Sequence, residues 1–151
     1  MENTKLQVSV FDVATYILSK MGLITAMKLQ KLVYYCQAWS LVWDEAPLFT
    51  ENIEAWANGP VVRELYEAHR GSYQITSINR GSIDNLNRIQ RNTIDAVLKF
   101  YGKESSQWLS DLTHMEDPWQ NARHRGNLSD NERGSEIITH ADLMEYYGGL
   151  E

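Results

Sequence analysis

Three residues near the end of a predicted helix carry the side chains best suited to chemistry in this sequence. His114, Glu116 and Asp117 stand within four positions of one another, and an imidazole beside two carboxylates can transfer protons or bind a metal ion. The same residues also have a structural interpretation, in which His114 ends a helix at its negative pole and Asp117 caps the turn at Pro118. We favour the structural interpretation, because none of the four histidines stands at a spacing typical of a zinc site.

The remaining reactive side chains form no catalytic pattern. Cys36 is the only cysteine, so the chain can form neither an intramolecular disulfide nor a multi-thiolate metal site, which fits a reducing cytoplasm. Cys36 lies on the apolar stripe of a predicted helix, which indicates a buried thiol rather than a nucleophile. The sequence contains no phosphate-binding loop, no dinucleotide glycine pattern and no nucleophile elbow. We therefore predict a protein that is not an enzyme and that uses no cofactor or metal.

Length and charge favour a globular protein of the cytoplasm. The chain has 151 residues, of which 43% are hydrophobic, and a formal net charge of −6. A chain of this length can bury about 70% of its unfolded surface and needs no covalent staple. No segment approaches the roughly 20 apolar residues of a membrane span, and the N-terminus lacks a leader pattern. We predict no membrane partner.

The apolar pattern predicts one mainly α-helical domain over residues 1–151, with a few short extended segments. Residues able to cap a helix precede the helical stripes, at Ser9, Thr25, Asn87 and Thr139. The helix after Thr25 is predicted to run to Trp43 at the centre of the core, with Lys28 and Lys31 off its apolar stripe. Extended segments are predicted at 53–56, 73–78 and 137–138, and an exposed polar loop at 124–135.

A tight corner is predicted within the stretch IEAWANGPVVRELY, residues 53–66. Trp56 is interpreted as a hydrophobic plug, and Gly59 as the residue that permits a tight turn. Pro60 is predicted in the first turn of the next helix, where its missing N–H would be unpaired in any case.

Nucleic-acid binding is one alternative function. Two helices joined by a short turn over 10–43 superficially match a helix-turn-helix. Arginines on later segments could pool into a patch, namely Arg63, Arg70, Arg80, Arg88 and Arg91. Acidic residues alternate with these arginines and the net charge is −6, so we predict that nucleic acid is not the main partner.

Four groups of residues, in order along the chain, resemble the Panacea domain of phage-associated bacterial proteins. The first is Met27–Trp39, whose run KLQKLVYY is similar to a helix of that family. The other groups follow at similar spacing: 47–49 with 53–56 and 58–61, then 108–114 with 118–119 and 122–123, and finally 137–147. The resemblance therefore extends over nearly the whole chain.

The resemblance implies an antitoxin, because proteins of this family neutralise small protein toxins encoded beside them by direct binding. The implied partner is a cognate protein toxin encoded nearby. A second interpretation is an adaptor that delivers the toxin or another client to a protease. Tyr146 and Tyr147 either support a homodimer or close the core.

Two sets of residues follow from these interpretations. Residues expected to hold the domain in shape form a structural signature: Leu32, Tyr35, Trp39, Trp56, Gly59, Pro60, His114, Pro118 and Trp119. Residues expected at a partner surface are tyrosine and charged side chains: Lys28, Lys31, Tyr34, Arg63, Glu67, Arg70, Arg123 and Arg125. The 124–135 loop is a further candidate for this surface.

Overall fold

One long helix lies at the centre of the fold, and most other helices pack around it. The structure, a computed structural model, describes residues 7–150. Its α-helices are α1 (Val10–Met21), α2 (Ala26–Trp43), α3 (Arg63–His69), α4 (Arg88–Tyr101), α5 (Ser106–Met115), α6 (Asp117–Arg125) and α7 (His140–Gly148). Its strands are β1 (Ile24–Thr25), β2 (Ile53–Trp56), β3 (Gly59–Val61), β4 (Gln74–Ile75) and β5 (Ile137–Ile138). The prediction of a mainly α-helical fold with a few short strands is confirmed.

Side-chain caps start the helices at the positions that the sequence predicts. The Ser9 hydroxyl accepts hydrogen bonds from the first turn of α1, and Thr25 does the same for α2. Asn87 and Thr139 form capping boxes with residues three positions later, at the starts of α4 and α7. Each cap satisfies amides that would otherwise lack a partner. None of the helices within residues 7–150 is long and apolar enough to cross a membrane.

Helix α2 is buried around almost its whole circumference, because α1, α4, α5 and α7 all pack against it. The predicted stripe of Leu29, Leu32 and Cys36 is fully buried. The prediction that Lys31 lies outside this core is wrong, since Lys31 is only 1% exposed. An amphipathic helix ordinarily keeps one solvated side, but here the surrounding helices also cover most of the polar side of α2.

Two small antiparallel sheets join the helices. The first pairs β1 with β4, and the second has the order β3–β2–β5. Pro60 lies in the edge strand β3 opposite Ala55, so the prediction that it starts a helix is wrong. An edge strand tolerates proline because the missing N–H is not needed on the open side. Helix α3 begins only at Arg63, after Val62, whose side chain cannot cap it.

The junction between α5 and α6 also differs from the prediction. Glu116, not Asp117, is the residue in the N-cap position of α6, and Asp117 is already helical. The backbone of Glu116 is extended, with φ −96° and ψ 148°, and its side chain makes no capping hydrogen bond. The Glu116 carboxylate points into the core instead. Pro118 lies in the first turn of α6, as predicted.

Candidate functional site

Two glutamines of α2 hold the main chain of neighbouring segments. The Gln30 amide accepts the N–H of Val62 at 2.9 Å and donates to the Val62 carbonyl at 3.2 Å. The Gln37 amide accepts the N–H groups of Leu48 and Phe49 at 2.6 and 3.2 Å and donates to the Phe49 carbonyl at 2.9 Å. Each side chain therefore pairs with main chain as a strand would, and fixes the segments that lead into α3 and β2.

Lys31 lies beside these glutamines, and its Nζ donates to the carbonyl oxygen of Pro60 at 3.1 Å. No carboxylate within residues 7–150 forms an ion pair with it. Burial without a counter-ion disfavours the ammonium form and lowers the pKa of Lys31 to about 7. We call Gln30, Lys31 and Gln37 the inner polar face of α2.

Gly59 makes room for the buried lysine. Its φ of +120° is a conformation that side chains disfavour, and an added Cβ would lie 2.8 Å from Cε of Lys31. The prediction that Gly59 permits a tight turn is supported by this φ. The same missing side chain is what lets the β2–β3 turn close over Lys31.

Two tyrosine hydroxyls meet one buried carboxylate beside α2, and a third tyrosine contacts one of them. The hydroxyls of Tyr35 and Tyr147 both donate to Oε1 of Glu116 at 2.7 Å, and the hydroxyls of Tyr34 and Tyr147 lie 2.9 Å apart. Desolvation raises the pKa of Glu116 above its ordinary value, while the two tyrosine hydrogen bonds oppose the rise. Tyr147 is fully buried, so it closes the core and is unavailable to a second copy.

The His114 ring faces main-chain carbonyl oxygens rather than the neighbouring carboxylates. Its Nδ1 lies 2.6 Å from the Ser110 carbonyl oxygen, and its Nε2 lies 3.1 Å from that of Ala57. Glu116 faces the tyrosines. No three His, Cys, Asp or Glu side chains within residues 7–150 are arranged to hold a metal ion. His114 instead ties α5 to the β2–β3 turn.

The corner at Trp56 is more open than the sequence suggests. Trp56 is half-buried, so its interpretation as a hydrophobic plug is wrong. Its indole N–H donates to Oε1 of Glu54 at 2.8 Å, and its ring lies 5.0 Å from that of Tyr66. Trp119 is the buried aromatic here: it is 5% exposed and donates its indole N–H to the Trp56 carbonyl at 2.8 Å. The plug is therefore Trp119, contributed by α6.

The structure divides the predicted partner-contact residues into buried and exposed members. Lys31 and Tyr34 are 1% exposed and Arg123 is 3% exposed, so their predicted placement on the surface is wrong. Lys28 is partly exposed and Arg125 is exposed. The other exposed members are Arg63 and Glu67 on α3 and Arg70 directly after it. Contact between these exposed residues and a partner stays a prediction.

Arginines of α6 organise the polar loop that follows. The Arg123 guanidinium donates to the carbonyls of Ala55, Ser129 and Glu132 at 3.0, 2.5 and 2.6 Å. Arg125 forms a salt bridge with Asp142 at 2.8 Å and also donates to the Ile137 carbonyl. Both guanidinium groups therefore already have hydrogen-bond acceptors within the domain.

A groove opens between the β2–β3 turn, the start of α3 and the end of this loop. It has a volume of about 450 Å³ and is lined by Trp56, Ala57, Asn58, Arg63 and residues 133–135. We call it the Trp56 groove. Arg133 belongs to the exposed 124–135 loop, but the sequence does not single it out, because only the tertiary path of the loop brings it to Trp56. The one available signal was a charged residue within a loop rich in turn formers.

Signature residues of α2, α5 and α6 therefore act as internal ties within a helical scaffold. The chain belongs to the family described as antitoxin SocA-like, Panacea domain, whose model matches residues 29–120. This match confirms the family resemblance seen in the sequence. No curated protein and no solved structure matches the chain.

Proposed function

We propose that this protein is an antitoxin that neutralises a cognate protein toxin by binding it directly. The observation that carries the proposal is the family match over residues 29–120. Residues 1–151 would act as one antitoxin domain in the cytoplasm, with the toxin encoded nearby. Neutralisation by occlusion requires no catalytic group; it requires a stable interface, which typically buries about 1,600 Å² in total, and slow dissociation.

The internal hydrogen bonds support this proposal physically. Gln30, Gln37 and Arg123 fix the main chain at Val62, at Leu48 and at Ser129. Segments held in one conformation lose little entropy when a partner binds, so more of the interaction energy appears as affinity. The described residues thus form a surface held in shape before binding.

The test is expression of each small reading frame next to this gene, alone and together with this protein. An antitoxin rescues growth arrest and copurifies with the toxic product. Toxin half-life then separates the two modes of action, because occlusion preserves or lengthens it whereas delivery to a protease shortens it. Absence of toxicity from every neighbour, or rescue without a complex, would contradict the proposal.

A further inference from the structure

The Trp56 groove presents two arginines in different states. Nε and Nη2 of Arg63 donate to the Glu54 carboxylate at 3.2 and 2.9 Å, and its guanidinium lies 5.3 Å from the centre of the Trp56 ring. Arg133 is exposed and makes no hydrogen bond or ion pair with any residue in 7–150. One guanidinium is therefore fixed in place, and the other is free to move onto a ligand.

The contrast with neighbouring arginines shows that Arg133 is not used by the fold. Arg123 binds three carbonyl groups, and Arg125 binds a carboxylate and a carbonyl. These residues and Arg133 lie within eleven positions of one another. Arg133 contributes none of these ties, yet it lies on the wall of a groove with an aromatic side chain.

The floor of the groove is rigid. The carbonyl oxygen of Ala57 faces Nε2 of His114 at 3.1 Å, and that of Asn58 accepts the Ser110 hydroxyl at 3.2 Å. The Trp56 carbonyl is held by Trp119. A turn tied to α5 and α6 at three successive residues keeps the Trp56 ring and the Arg63 guanidinium in a fixed relation, as recognition of an oriented group requires.

We propose that the Trp56 groove binds an acidic segment of the partner protein, with one carboxylate of that segment held by Arg133 beside Arg63 and Trp56. Arginine binds carboxylates through two parallel hydrogen bonds, and Arg and Trp are the residue types that most often dominate a protein interface. This inference rests on the proposed function, because it assumes a protein partner.

The charge of the groove favours a carboxylate over nucleic acid. The charged residues that line the groove are Arg63 and Arg133, and Glu54 neutralises Arg63, so the lining itself keeps about one excess positive charge, at Arg133. That charge matches a single acidic side chain. Nucleic-acid binding rests on neutralising several phosphates at once, and the net charge of −6 opposes it outside the groove.

The groove can be tested without any partner, by NMR titration of the full chain with N-acetylglutamate. We expect a saturable shift of the Trp56 indole N–H signal, no such shift with N-acetylglutamine, and loss of the response in Arg133→Gln. The matched control is Arg88→Gln, because Arg88 is exposed on α4 away from the groove. Equal responses to the two ligands, or an unchanged response in Arg133→Gln, would overturn the proposal. A stronger response to inorganic phosphate than to N-acetylglutamate would overturn the protein partner in favour of a phosphate-bearing one.

The second test uses the toxin found by coexpression. Arg133→Glu is expected to weaken the complex at least tenfold, roughly the effect of opposing a charge across an interface, whereas Arg88→Glu should change it less than about twofold. Toxin variants selected for renewed neutralisation by Arg133→Glu should exchange Asp or Glu for Lys or Arg. If Arg133→Glu binds the toxin with wild-type affinity, the groove is not the binding site, and the antitoxin function still stands. If no toxin is found, the antitoxin function is refuted, and the NMR titration still tests whether the groove binds a carboxylate.

Discussion

The inner polar face of α2 and the Trp56 groove both carry polar side chains, but these differ in burial and in hydrogen bonding. Gln30, Lys31 and Gln37 are buried and bonded to main chain. The Arg133 side chain is exposed and makes no hydrogen bond or ion pair within residues 7–150. The polar side chains of α2 thus hold the fold together. A binding surface is better sought where a charged side chain has no internal role.

The largest loss of stability is expected from a substitution that crowds Lys31 in the inner polar face. Gly59→Ala should lower the free energy of unfolding by roughly 3 kcal/mol, because it adds backbone strain at positive φ to crowding against Lys31. Gly71→Ala is the control: its φ is +89° but no atom lies within 4 Å of the added Cβ, so strain alone should cost roughly 1 kcal/mol. Urea denaturation measures both, and equal losses would show that Lys31 moves aside without cost.

A smaller loss of stability is expected at the buried contacts between Glu116 and the tyrosines. Tyr147→Phe removes one of two hydroxyl donors to Glu116 and the partner of the Tyr34 hydroxyl. Leaving buried polar groups less satisfied should cost about 1–3 kcal/mol of unfolding free energy. Tyr73→Phe is the matched control, since Tyr73 is 80% exposed. Thermal and urea unfolding should separate the two, and identical stabilities would show that the buried tyrosine–glutamate contacts contribute nothing net.

Lys31 makes the interior sensitive to pH. Its folded-state pKa of about 7 lies below the ordinary value of 10.5, so the unfolded chain binds more protons between these pH values. The Lys31 contribution to stability should therefore rise with pH above about 7, by at most about 1.4 kcal/mol per pH unit, and it is lost as pH falls through 7. Burial also raises the pKa of the Cys36 thiol above its ordinary value of 9.0, which gives a slope of opposite sign near that pH. Lys31→Met keeps the Cys36 slope and removes the Lys31 slope, so the difference between the wild-type and variant curves measures Lys31.

The measurement is the unfolding free energy of both proteins between about pH 7.5 and pH 9.5. Burial lowers the pKa of His69, which keeps that ring neutral in this window, and burial raises the pKa of Tyr35, which keeps that hydroxyl protonated. Parallel curves for the wild type and Lys31→Met would show that Lys31 keeps its charge inside the protein.

The smallest effect on stability is expected at the groove. Arg133→Ala removes no hydrogen bond or ion pair within residues 7–150, so the free energy of unfolding should change by less than about 0.5 kcal/mol. Arg123→Ala, ten positions away, should destabilise clearly, because it removes hydrogen bonds to three carbonyls. Urea denaturation of both variants makes the comparison. A loss above about 1 kcal/mol for Arg133→Ala would show that Arg133, like Arg123, stabilises the fold.

The elements could be predicted from local chemistry, and their positions largely were. Ser9, Thr25, Asn87 and Thr139 bind amides within their own first turn, so sequence spacing alone identifies them. Pro60 was misplaced, because both an edge strand and a first helical turn accept a residue without an N–H. Only pairing with β2, a contact outside its immediate sequence, decides between them.

The burial of charged residues could not be predicted in the same way. Lys31 lies on the polar side of a helical pattern, and only the packing of other elements around α2 places it in the interior. Arg123 is likewise buried because a distant strand and a later loop supply carbonyl acceptors. The Trp56 groove depends on the same loop path. Sequence periodicity predicts which face of a single helix is apolar. The burial of Lys31 and Arg123 and the Trp56 groove instead depend on several segments that meet only in the folded protein.

The hydrogen bonds of Arg123 affect which sequence changes the following loop can tolerate. It holds the loop at Ser129 and Glu132 through backbone carbonyls, which every amino acid supplies. Substitutions along 129–132 therefore leave the acceptors of Arg123 in place. The loop that carries Arg133 toward the groove can thus accumulate sequence changes while the anchored backbone path persists. Variation at these positions should therefore cost little folding stability.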